Sequence, residues 1–128
     1  MDTSEQYIKM CEKAVEIQGL RTVGKHYKLG DYYFWEDHIN LAYGNGETVG
    51  IEYRYADETW LPRQDQLQEM IIDKFKNTGF SAIESLVFKF YKSFEADTEM
   101  SMEQLWLAFV MKEKYNKSWN GEGWVINS

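Results

Sequence analysis

The side chains able to do chemistry in this 128-residue chain are few and scattered. A metal site needs three or four converging His, Cys, Asp or Glu ligands. His26, His38 and Cys11 stand far apart with no ligand spacing, so no metal is expected, and no cofactor. His38 follows Asp37 and could form a base with its orienter, but a pair like this in a turn is ordinarily solvated. Cys11 falls on an apolar helix face and reads as a buried, inert thiol. Gly44-Asn45-Gly46 leads into a strand, not a helix N-terminus, so it is no phosphate loop. No catalytic residue is assigned and no enzyme is expected.

Two other groupings suggest binding. Trp60, Arg63 and Gln64 surround Pro62 at a helix start. Arg63 could grip a carboxylate or another anion, with Gln64 beside it and Trp60 as a wall; the plainer reading is a solvated helix start stapled by Trp60. The second grouping is acidic. Residues 31–58 hold Asp31, Glu36, Asp37, Glu47, Glu52, Asp57 and Glu58 against Arg54 alone, leaving −6 of the chain's −7. Tyr32, Tyr33, Trp35 and Tyr43 are interspersed. Aromatic anchors beside acids suit docking on a basic protein surface. The plainer reading folds the aromatics inward under an ordinary acidic surface.

The elements that must position these groups are readable from period and caps. Residues 3–18 predict a helix, with Thr3 and Gln6 at capping-box spacing and Tyr7, Ile8, Cys11, Ala14 and Val15 on one face. Lys9, Glu12, Lys13 and Glu16 take the other. Residues 20–31 read as a loop. Residues 32–35 and 39–43 predict strands, and 48–55 a return strand after an Asn45-Gly46 turn, with Gly50, Glu52 and Arg54 on its wet side. Residues 56–62 read as a connector. Helices follow over 63–77 (Leu67, Met70, Ile71, Phe75) and from a capping box at Ser81 and Glu84 (Ile83, Leu86, Val87, Phe90, Tyr91, Phe94). A third begins at Ser101, with Gln104 at box spacing, and carries seven apolar residues over 105–111, so it must be enclosed. Asn120-Gly121 between Trp119 and Trp124 predicts a small hairpin. The expected fold is one α+β domain spanning 1–128: N-terminal helix, three-stranded antiparallel sheet, three helices packed on one sheet face, C-terminal hairpin.

Four stretches, YIKMCEKAVEIQ (7–18), WLPRQDQLQEMI (60–71), SMEQLWLAFVMKEKYNKSW (101–119) and WNGEGW (119–124), resemble a group of small proteins from phages and prophages of Firmicutes. That resemblance implies an accessory product in the cytoplasm of an infected or lysogenic bacterium. It supplies no mechanism and no site residues.

Composition narrows the partners. Net charge −7 disfavours bare nucleic acid, whose phosphates need a basic surface. Residues 1–18 lack an apolar leader core, and no apolar run is long enough to span a membrane. A single cysteine excludes an internal disulfide. The expected function is non-enzymatic binding of a host protein with a basic surface, for instance a nucleic-acid-binding defence factor. The alternative is a nucleotide-signal sponge, its aromatics stacking a base while Arg63, Lys25 or Lys28 meets phosphate. With aromatics at 16% of the chain, a homodimer is also allowed.

Overall fold

The computed structural model describes residues 1–42, 53–72, 80–94 and 99–128, with backbone only at 80–83, 93 and 94. The chain forms two compact units, Met1–Arg63 and Gln64–Ser128. The element order is that of a mixed α+β protein.

In the first unit, α1 spans Glu5–Lys13 and is capped by Ser4, not Thr3: the Ser4 hydroxyl accepts from the Tyr7 N–H at 3.2 Å. The predicted single helix breaks at Ala14 (φ −85°, ψ 74°), and α2 covers Val15–Gln18. The break redirects the apolar face. Tyr7, Met10, Cys11, Ala14 and Ile17 are fully buried, whereas Val15, expected inside, is exposed. It also aims Gln18 at the sheet.

β1 (Tyr32–Trp35), β2 (His38–Leu41) and β3 (Thr59–Leu61) form an antiparallel sheet in the order β2-β1-β3. The third strand is therefore Thr59–Leu61, from the stretch read as a connector. The predicted Asn45-Gly46 turn lies outside the described residues, as does most of 48–55. Its described end adds no strand to the sheet: Tyr53 makes an isolated bridge with His26. Opposite partners include Phe34 with Ile39, Tyr32 with Leu41 and Tyr33 with Trp60. α1 packs on β3, and the Tyr7 hydroxyl donates to the Pro62 carbonyl at 2.5 Å. Gln18 completes the backbone of Trp60. Its amide nitrogen donates to the Trp60 carbonyl at 2.8 Å, and its oxygen accepts from the Trp60 N–H at 2.9 Å. One side chain thus supplies what a further strand would supply.

In the second unit, α3 (Gln64–Ile72), α4 (Phe80–Phe94) and α5 (Met102–Tyr115) precede the hairpin of β4 (Lys117–Trp119) and β5 (Trp124–Ile126). Ser101 caps α5, accepting from the Gln104 N–H at 3.1 Å. Gln104 through Met111 are all buried, as a helix apolar on every side requires. α3 packs on α5 and buries Leu67 and Ile71, with Met70 half-buried; Phe75 lies outside the described residues. Phe90 of α4 stacks on Trp106 at 4.1 Å and meets Phe109 edge-on at 5.3 Å. α4 is already helical at Phe80, so Ser81 lies within the helix. Asn116 ends α5 in the left-handed region, and its side chain donates to the Asn127 carbonyl at 3.0 Å. Asn120 holds the hairpin loop, accepting from the N–H groups of Glu122 and Gly123, while the rings of Trp119 and Trp124 pack 5.1 Å apart.

Candidate partner-binding site

The acidic stretch divides by burial. Asp31 is fully enclosed, and Arg21 clasps it with two bonds of 2.6 and 3.2 Å. The Lys28 N–H donates to the same carboxylate at 2.8 Å. The Arg21 guanidinium also lies 4.1 Å over the Trp60 ring. Arg54, expected on a wet face, is buried. It donates to the carbonyls of Gln18 (2.5 Å), Arg21 and Glu58 (3.3 Å). Its backbone pairs with Gly24 and Lys25. The loop over 20–31 is thereby tied at both ends by two arginines.

Glu58 is buried beside Tyr27, whose ring stacks on Tyr33 at 4.5 Å. Burial first, and the neighbouring Glu58 second, push the Tyr27 phenol well above its ordinary range. Burial likewise pushes the Cys11 thiol up and keeps it protonated. Asp31, Tyr33, Arg54 and Glu58 are thus parts of the interior and present nothing to a partner.

Trp60 also belongs to the core, 1% exposed, with its face taken by Arg21. Arg63 donates to the Gly30 carbonyl. Gly30 sits at φ +87°, and a β-carbon there would come within 3.3 Å of that guanidinium, so glycine serves both the turn and the contact. Gln64 opens α3, half-buried. The Trp60, Arg63 and Gln64 grouping is therefore committed largely to internal packing.

The remaining described acids of the stretch are exposed at one place. Glu36 (φ 47°) and Asp37 (φ 63°) form the two-residue turn between β1 and β2, closed by the Trp35 and His38 pair. Both residues being left-handed is the arrangement of a type I′ hairpin, ordinarily made by Asn-Gly. Here two acids adopt it. Trp35, 38% exposed, donates from its indole nitrogen to Asp57 at 3.0 Å, which brings the third acid to the same tip. His38 is exposed on β2, and Tyr32 is half-buried. Tyr43, Glu47 and Glu52 lie outside the described residues.

Beside the tip runs an open groove of about 570 Å³ between α1 and the hairpin. Ile8, Phe34 and Ile39 give it an apolar floor; Glu5, Glu12, Asp37, Lys9 and Thr3 form its rim. Three carboxylates against one ammonium make the rim acidic. Sequence reading passed over the α1 half of this site, because Glu5, Lys9 and Glu12 at helical spacing look like any solvated helix face. The available signal was Ile8, an apolar residue adjoining that face. Among the described residues no cluster of three or more His, Cys, Asp or Glu could hold a metal, and no helix is long and apolar enough to cross a membrane. No family model, curated protein or solved structure matches this chain.

Proposed function

We propose that this protein is a non-catalytic binding module that takes a basic segment of a host protein into the groove between α1 and the β1–β2 hairpin. The observation that carries this reading is the joining of an apolar floor (Ile8, Phe34, Ile39) to an acidic rim (Glu5, Glu12, Asp37) beside the acidic turn. Apolar side chains of the partner would bury on the floor while its lysines or arginines meet the rim. Trp35, 38% exposed and held by Asp57, stands next to the same turn but outside the groove lining. The turn adds to the argument. Two non-glycine residues in the left-handed region cost about 1 kcal/mol or more each, and strain of this kind gathers at functional sites. The resemblance to phage accessory proteins supports a partner in an infected or lysogenic bacterium, where masking a basic host surface would disarm a defence factor.

The test is capture from infected-cell lysate, compared between wild type and a Glu12→Lys/Asp37→Lys variant of unchanged circular dichroism. The expected result is a specific host protein whose capture falls steeply as salt rises from about 50 to about 500 mM, and which the charge-reversed variant fails to hold. A partner retained equally by both proteins would refute the groove as its site.

A further inference from the structure

α4 is apolar on two opposite sides. One side buries Leu86 and half-buries Phe90, with Phe90 against Trp106 and Phe109 of α5. On the other, Val87, Phe88 and Tyr91 are 56%, 62% and 60% exposed. A helix side meant for water is ordinarily polar. At 3.6 residues per turn, Glu84, Phe88 and Lys92 follow one another along the exposed side, with Val87 and Tyr91 alongside. The Lys92 ammonium lies 5.8 Å from the centre of the Phe88 ring, so base and aromatic share one surface.

That stripe reads acid, aromatic, base, with equal spacing on either side of Phe88. Reversed, it is its own complement. On a copy laid antiparallel about a two-fold axis through Phe88, Glu84 of each protomer faces Lys92 of the other. A parallel copy would set like charge on like. The isologous pairing of a two-fold dimer demands this kind of self-complementarity.

We propose that the Val87, Phe88 and Tyr91 side of α4 is a homodimer face, antiparallel, with Phe88 at the axis and Glu84 and Lys92 fixing the direction. The patch is small. Its aromatics expose on the order of 100 Å² each, and the whole falls short of the ~800 Å² per partner of a standard interface. The dimer is therefore weak and concentration-dependent. It belongs to the second unit and stands independently of the binding reading.

Sedimentation equilibrium of the full chain at low salt, from about 1 µM to about 1 mM, tests it. The expected mass rises from 15.2 kDa towards twice that value. Phe88→Glu stays monomeric at every concentration. Glu84→Lys and Lys92→Glu each weaken association at least tenfold, because each turns two attractions into two repulsions. The double variant Glu84→Lys/Lys92→Glu restores it to within a few-fold. Circular dichroism spectra and melting temperatures of all variants match wild type. A wild-type mass constant at the monomer value, or a double variant as weak as either single, overturns the proposal. So does a Phe88→Glu variant that melts earlier without altering the association, since that would mean the patch is covered by its own chain.

Discussion

Asp31 and Glu58 lie in the interior of the first unit, while Glu36, Asp37 and Asp57 project at its hairpin tip, although all five come from one run of 28 residues with the same charge-rich, aromatic-rich character. The difference lies in what each acid meets. Asp31 meets a guanidinium in two-point geometry plus a backbone N–H, enough to offset removal from water. Glu36 and Asp37 are exposed at the outer end of a turn. Where a carboxylate finds a complete set of donors it becomes architecture; where it stays exposed, with at most the one donor that Asp57 takes from Trp35, it is available to a partner.

The sharpest way to break this comparison is to treat the two sets alike. Asp31→Ala should lower the unfolding free energy by about 3 kcal/mol in urea titrations, because it takes the carboxylate from the largely enclosed Arg21 guanidinium. Replacing both partners, Arg21→Met with Asp31→Leu, should recover most of that loss. Glu36→Gln at the tip should shift stability by less than about 0.5 kcal/mol. Equal effects at the two places would dissolve the distinction.

A second test uses pH. Tyr27 and Cys11 both hold their protons more tightly folded than unfolded, because burial opposes their charged forms. Their contribution is complete below the ordinary values of 10.0 for the phenol and 9.0 for the thiol. It drains away as pH climbs past those values, since only the unfolded chain then releases the protons. Stability should fall by about 1.4 kcal/mol per pH unit per group on the alkaline side. Tyr27→Phe should flatten part of that slope in denaturant titrations between about pH 9 and 11.

The turn gives a smaller effect of opposite sign. Glu36→Asn with Asp37→Gly installs the residues a type I′ turn prefers and should raise stability by about 1 kcal/mol. The same change removes one acid from the groove rim and should weaken partner binding, so stability and binding should move in opposite directions. Smallest of all, Asp57→Asn keeps an acceptor for the Trp35 indole and should cost under about 0.5 kcal/mol in thermal melts.

What could be read from residues alone depended on whether a segment's chemistry named its own environment. Residues 105–111 are apolar without interruption, so only an enclosed helix could hold them, and that is where they lie. Asn120-Gly121 between two tryptophans specified its hairpin in the same way. The break at Ala14 was hidden, because alanine favours helix more than any other residue. So was β3: three residues buried on both faces show no alternation and look like a connector. The Glu36-Asp37 turn carries the wrong residues for its geometry, so nothing in its residue types named a type I′ hairpin.

The sequence by itself determined the α+β order of elements, the enclosed C-terminal helix and the excess of acid over 31–58, because periodicity, caps and charge are local properties. Tertiary structure decided which acids are interior, since that depends on Arg21 and the Lys28 backbone arriving at Asp31 and on Arg54 ordering the chain around Glu58. It also decided that α1 and the β1–β2 hairpin share a groove. Distances between segments some 25 residues apart are set by packing, and no local pattern encodes them.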